Sequence, residues 1–231
     1  GEIDPEGDDV DWADALVTAD NRYLFVNDAS RAQVLVIDTR ERAIVDRLEV
    51  GPRPVHMYHV GETELWTHSD EEGAFYVIDV ERRAVTGRVV AALEDTGHGK
   101  LATHPNLGSK AYATNTNDPG IHVIDLAAKE STGFVELEGG SGTHAKCYNP
   151  VTNRVYAELI GGESPRTAVI DVETDSVETY YDIGGQVFNT PDDRYVVWAD
   201  KRNNQVHVLD AESGEFADPI PVEGGPDKVF F

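Results

Sequence analysis

The chain has 231 residues, 40% hydrophobic and 27% charged, and its 43 acidic against 19 basic side chains leave a formal net charge of −24. That length suits one large all-β domain or two small ones. A single cysteine, Cys147, excludes an internal disulfide and the cysteine-rich zinc modules, and so little positive charge excludes nucleic acid and anionic lipid as partners.

Residues 1–10 (GEIDPEGDDV) read as a flexible lead, and 11–231 as a single domain. The chain opens on Gly1 rather than Met, which points to processing or to a piece of a longer protein. The first repeat follows as ALVTAD, YLFVND, QVLVIDT and AIVDRLEV, four short runs rich in strand formers. The second opens with PVHMYHV and reaches VIDV at Val80. The third is KLATHP, AYATN, GIHVIDL and TGFVELEG, separated by the turn-forming PNLGS, TNDPG and AAKES. The fourth opens around THAKCYNP, and the fifth reads VFNTPDDR, YVVWAD, QVHVLDA and a weak FADPIPVE. A final GGPDKVFF parallels the openings of earlier repeats and reads as one more first strand.

The repeats share an aspartate at Asp38, Asp79, Asp125, Asp171 and Asp210, spaced by 41, 46, 46 and 39 residues. Four antiparallel strands in each period make a blade of a β-propeller. The fold class is therefore all-β, with five complete blades and the first strand of a further one. A long sandwich gives no reason for an aspartate at near-constant phase, whereas in a blade it closes the third strand and accepts bonds from the next turn. An open propeller leaves a bare edge, so the count favours part of a longer propeller over a closed ring of five. No run of about 18 apolar residues spans a membrane. Self-repulsion at this charge favours a saline medium, where the screening length falls to about 3 Å at molar salt; an ordinary acidic secreted protein is the competing reading.

His56, His98 and His144 fall at the start of the innermost strand in three successive blades. Three imidazoles converging at a channel mouth suit Zn or Cu, with water or a carboxylate as fourth ligand. His68, aligned with Asn27, Asn115 and Asp200 at a loop position, is a fourth ligand or a partner of one. Lys100 and Lys146 follow His98 and His144 by two residues each. Two of only six lysines thus form a positive island suited to a small anionic ligand or a haem carboxylate. An inert polar channel mouth is the third reading. His104 reads as structural, His59 as packing on the first blade, and His122 and His207 as a repeated half-exposed strand position. Cys147 reads as a buried, inert thiol. The sequence has no GxSxG, P-loop or HExxH motif, no GxGxxG leading into a helix, and no CxxCH for a c-type haem.

AYATN at 111–115, YLFVN at 23–27 and the run VIDTRERAIVDRLEVGPRP resemble YVTN-type propellers over nearly the whole chain from about residue 11. The resemblance implies kinship with the d1-haem domain of nitrite reductases and the N-terminal domain of nitrous oxide reductase. It also implies an extracytoplasmic place: secreted, periplasmic or on the cell surface. A shorter likeness, in RPVHMYHV, GHGKLATHP, GSGTHAKCYNP and the turn Asp70 to Gly73, is to periplasmic zinc metallochaperone propellers. It implies that His56, His98 and His144 are zinc ligands; the His-rich mobile segment of those chaperones is missing from this chain. The expectation is an exported, non-enzymatic module that binds or carries zinc or copper, with haem less favoured. The alternatives are a redox enzyme domain of the d1-haem or copper type and a cell-surface scaffold for a partner protein.

Overall fold

The computed structural model describes residues 10–231. All of the expected lead except Val10 lies outside the described residues. The chain divides into two compact units: the residues up to Gly99 with Leu126–Ser131, and Lys100–Asp125 with Thr132–Phe231.

The first unit holds two four-stranded sheets. One is β1 (Trp12–Val17), β2 (Tyr23–Asp28), β3 (Gln33–Asp38) and β4 (Ala43–Glu49). The other is β5 (Pro54–Val60), β6 (Glu64–Ser69), β7 (Ala74–Asp79) and β8 (Ala84–Val90). Three sheets belong mainly to the second unit. The first of them is β9 (Gly99–Ala102), β10 (Lys110–Asn115), β11 (Gly120–Asp125) and β12 (Glu130–Glu136). The next is β13 (Gly142–Asn149), β14 (Arg154–Ile160), β15 (Arg166–Asp171) and β16 (Ser176–Tyr181). The last is β17 (Gln186–Asn189), β18 (Tyr195–Asp200), β19 (Gln205–Asp210), β20 (Glu215–Phe216) and β21 (Ile220–Pro221). Each sheet is an antiparallel meander in chain order, the topology of a propeller blade.

The repeated aspartates do what their phase predicts. They end β3, β7, β11, β15 and β19. The carboxylate of Asp38 accepts from the backbone N–H of Arg40 and Glu41 at 2.9 and 3.0 Å, and Asp210 accepts from Glu212 and Ser213 in the same way. These backbone donors hold the carboxyls of Asp38, Asp171 and Asp210 below the ordinary aspartate range. The turn then closes through a residue in the left-handed region: Arg42, Arg83, Lys129, Asp175 and Gly214. Only the last is glycine, because several of the others have work for a side chain. Arg83 bonds Asp46, Lys129 bonds Glu64 at 2.7 Å, and Asp175 bonds Lys110 at 2.8 Å.

The second and third strands of most sheets are buried on both faces, while the fourth strands stay largely exposed. In the first unit Phe25, Val34, Val36, Met57, Leu65 and Ile78 interleave between the two sheets. In the second unit one cluster is built around Tyr112, Ile121, Val155 and Ile170, and another around Tyr156, Val187 and Trp198. The Trp198 indole meets Tyr156 edge-on at 5.5 Å and donates to the Thr167 hydroxyl at 3.1 Å, satisfying its one polar atom.

Two expectations at the C-terminal end change. The fifth blade's outer strand is split into β20 and β21, both paired with β19, because Pro219 and Pro221 have no N–H to give the ladder. GGPDKVFF forms no strand; a single strand has no ladder to join without a partner. Phe230 and Phe231 at its end are exposed. Among the described residues no helix is long and apolar enough to cross a membrane.

Candidate functional site

The first strand of three sheets carries a β-bulge in nearly the same place. The register shifts between Trp12 and Ala15, between Pro54 and Met57, and between Thr143 and Lys146. Two residues there oppose one on the second strand. Ala13 and Asp14 face Asn27, Val55 and His56 face His68, and His144 and Ala145 face Glu158. Such bulges re-aim side chains and terminate regular pairing.

This register corrects two alignments. His68 is paired four residues before the shared aspartate, as are Asn27, Thr114, Glu158 and Ala199, not Asn115 and Asp200. It lies within β6 and is fully buried, not in a loop. His144 occupies the place of Val55, one residue before that of His56. Asn27 donates to the Val55 carbonyl at 3.0 Å, and Thr114 donates to the His144 carbonyl at 2.8 Å. The bulge adds a residue whose position the sequence does not mark.

In the first unit His56 and His98 meet edge-on, with Nε2 to Nε2 at 3.1 Å. His56 Nδ1 lies 2.9 Å from Asp14 Oδ2, and His98 Nδ1 lies 2.8 Å from Asp70 Oδ2. A carboxylate beside each Nδ1 favours a proton on that nitrogen, which leaves Nε2 of each ring as the atom that meets the other ring. Asp70 also takes His68 Nδ1 on its second oxygen at 3.1 Å. Burial alone raises the Asp70 carboxyl, but the bonds from His68 and His98 outweigh it and bring the pKa to about 2.

Burial holds His68 below the ordinary histidine range, so it is neutral. Its Nε2 is buried without a hydrogen-bond partner among the described residues. The Gly99 N–H approaches Nδ1 at 3.3 Å, but the closer carboxylate claims the proton there. A Cβ on Gly99 would sit 2.4 Å from His68 Nε2, so the ring and the glycine backbone require each other.

In the second unit His144 Nδ1 lies 3.3 Å from Glu158 Oε2, while Glu158 also accepts from the N–H groups of Ala145 and Gly185. Each of the three expected ligands thus has its Nδ1 on a carboxylate. Glu158 opens on a cavity of about 240 Å³ lined also by Gly161, Gly184, Lys201 and Arg202. Lys100 on β9 reaches Gln186 on β17, Nζ to Oε1 at 3.5 Å. Lys146, on β13, is half-buried; desolvation first, then repulsion by Lys100, bring its ammonium down to about 8. Cys147 donates to Asn189 Oδ1 at 3.0 Å, and burial pushes its thiol up to about 12, which leaves it unreactive.

The remaining histidines have local roles. His104 accepts from the Asn106 N–H and caps the short 3₁₀ turn Pro105–Leu107. His59 is exposed beside a cavity of about 340 Å³ lined by Val17, Thr18 and Val80. His122 is buried, not half-exposed: Asp118 accepts from it at 2.7 Å and lets the ring go inside. His207 is partly buried against Asp200 at 3.3 Å.

Among the described residues no group of three or more His, Cys, Asp or Glu side chains is placed to hold a metal ion. Of the expected ligands, His56 and His98 lie together within the first unit. Asp14 and Glu158 were invisible to sequence reasoning, because nothing sets them apart among 43 acidic residues.

No family model matches the chain, and no curated protein is similar to it in sequence. The YVTN likeness therefore has no matching family behind it. Solved structures do match. Hydrazine synthase of Kuenenia stuttgartiensis is similar with a TM-score of 0.71 at 19% identity, over 90% of this chain and 65% of its own. A chain of the mitotic checkpoint complex is similar with a TM-score of 0.73 at 16% identity, over 94% of this chain and 67% of its own. The dihydro-heme d1 dehydrogenase NirN, in complex with DHE, is similar with a TM-score of 0.62 at 14% identity, over 91% of this chain and 57% of its own. The chain spans about two thirds or less of the length of these structures. At such identities the likeness shows the fold alone, and the fold is a β-propeller.

Proposed function

We propose that the chain is an exported β-propeller module that binds a divalent transition metal, zinc or copper, through Nε2 of His56 and His98. The observation that carries this reading is their 3.1 Å approach with both Nδ1 atoms tied to carboxylates. Two neutral imidazole lone pairs that close repel unless a cation or a shared proton lies between them. Metal–nitrogen bonds of about 2.0–2.1 Å spanning that gap subtend about 100° at the metal, a cis angle close to tetrahedral. The outer carboxylates are the partners that metal-bound histidines regularly have.

On this reading the protein binds or carries the ion and catalyses no reaction. Water or further donors complete the coordination. The net charge of −24 supports an extracytoplasmic, saline setting. Metal content of the protein purified without added metal, followed by zinc and copper titration, tests the proposal. Wild type is expected to bind one equivalent, and His56→Ala or His98→Ala to lose it with the fold intact; His144→Ala measures whether His144 takes part. A Soret band in place of zinc or copper supports a haem redox domain instead. No metal and no chromophore leaves the protein-contact scaffold.

A further inference from the structure

We propose that the cavity of about 240 Å³ beside Glu158 binds a small free α-amino acid, its ammonium on the Glu158 and Asp200 carboxylates and its carboxylate on Arg202 and Lys201. The site lies wholly in the second unit and is separate from the histidine pair. Glu158 on β14 and Asp200 at the end of β18 both line it. Gly185, just before β17, ties the two together. Its N–H donates to Glu158 Oε1 at 2.9 Å, and a Cβ on it would run into the Ala199 carbonyl oxygen and lie 3.2 Å from the Asp200 Cα. At about 30 Å³ per water the cavity has the volume of roughly eight waters, more than a bare ion fills.

Both carboxylates lack a permanent positive partner. Asp200 is 1% exposed and Glu158 is half-buried. Glu158 accepts from the Gly185 and Ala145 N–H groups and lies 3.3 Å from His144 Nδ1. Asp200 accepts from the backbone N–H and the side-chain amide of Asn203 and lies 3.3 Å from His207 Nε2. Among the described residues no lysine or arginine pairs with either, whereas the buried Asp28 and Asp38 each have an arginine. A buried negative charge is costly until a cation compensates it. A carboxylate offers about four acceptor sites, and the contacts above leave one open on each. Two acceptors from separate strands suit an ammonium, with its several N–H donors, better than a single hydroxyl. The rim has the opposite sign. Arg202 is exposed and has no carboxylate partner among the described residues, both terminal nitrogens meeting the Glu163 carbonyl oxygen at 3.3 Å. Lys201 beside it is exposed, with Asp227 at 3.7 Å. A molecule with an ammonium at one end and a carboxylate at the other answers both halves through charge-assisted bonds. Leu159, Ile160 and Pro165 complete a wall that takes a short aliphatic side chain.

The test is calorimetric titration of the full chain at pH 7, with a chelator present, using glycine, alanine, serine and valine separately. Wild type is expected to show saturable one-to-one binding of at least one of the four. For the best of them, the analogue with a hydroxyl in place of the ammonium and the analogue with an alcohol in place of the carboxylate are each expected to bind at least tenfold more weakly. Glu158→Gln and Arg202→Gln are each expected to weaken binding tenfold or more, and Ser164→Phe, at the exposed edge of the cavity, to abolish it by filling the space. The His56→Ala/His98→Ala variant is expected to bind as wild type does, so this site and the metal proposal stand or fall separately. Absence of saturable binding by all four amino acids overturns the inference. So does equal binding of either analogue, or binding that persists unchanged in the variants. If Glu158→Gln fails to fold by circular dichroism, Arg202→Gln and Ser164→Phe decide.

Discussion

The imidazoles of His56 and His98 face each other Nε2 to Nε2 at 3.1 Å, and each is held from behind by a different aspartate, Asp14 and Asp70. The two carboxylates differ in setting. Asp14 comes from the bulge of β1 and its side chain is 50% exposed, whereas the Asp70 side chain is 14% exposed and shared with His68. Asp70 is therefore the better-anchored of the two, and its side of the pair is the more sensitive to mutation.

Asp70→Asn keeps the shape but removes the charge that fixes two histidine tautomers. Zinc or copper affinity is expected to fall about 10- to 100-fold, as for other lost partners of metal-bound histidines. Competition with a chelating dye measures it; an unchanged affinity removes Asp70 from the site. The same variant changes the acid limb of stability. The Asp70 carboxyl is at about 2 in the folded chain against an ordinary 3.8, so its contribution is complete above pH 4 and disappears as pH falls toward 2. That contribution is on the order of 2 kcal/mol, and urea unfolding at pH 3 and pH 6 should show a smaller difference in the variant.

Gly99→Ala drives a methyl group into the His68 ring, whose Nε2 lies 2.4 Å from the position of the new Cβ. Overpacking of this kind costs about 1–3 kcal/mol. The displaced ring also pulls on Asp70, so metal affinity is expected to fall together with stability. A Gly99→Ala protein with wild-type stability and wild-type affinity contradicts the described packing.

Lys146→Met removes a desolvated, repelled charge. The folded-state pKa is about 8 against an ordinary 10.5, so between those values the unfolded chain binds more protons and wild-type stability climbs with pH. Below pH 8 the wild type bears the full penalty, about 2 kcal/mol after allowing for partial exposure. The methionine variant is expected to be more stable by that amount at pH 7, with the gap closing toward pH 10. Denaturant unfolding at several pH values checks the trend, and a destabilised variant at pH 7 refutes it.

Salt is expected to raise the unfolding temperature steadily toward molar NaCl, because 43 acidic side chains repel one another in the compact state. Thermal scans across that range measure the effect. A flat profile points to an ordinary acidic protein and against a saline habitat.

The blade pattern was legible because it is local chemistry. An aspartate capping its own turn after a valine-rich strand leaves the same trace at Asp38, Asp79, Asp125, Asp171 and Asp210, and each ends a third strand. The approach of His56 to His98 was legible from their shared place in two successive repeats. The one-residue displacement of His144 was not, because a bulge inserts a residue without a compositional mark. Nor were the carboxylates behind the rings. Asp14 and Glu158 come from other strands, and only tertiary pairing selects them. His122 looked half-exposed because its aspartate partner lies four residues upstream, in the turn before its strand.

The residue opposite the first-strand bulge, or in register with it, is Asn27, His68, Thr114 or Glu158 in the first four sheets, and every one meets backbone in, or just before, a following first strand. Asparagine and threonine there act only as rivets. Histidine and glutamate at the same slot lie against that backbone as well and add a titratable group beside a candidate ligand. Cohesion and chemistry thus share one coding position per repeat. Recoding residues 27, 68, 114 and 158 is the shortest path to a new binding preference on an unaltered frame.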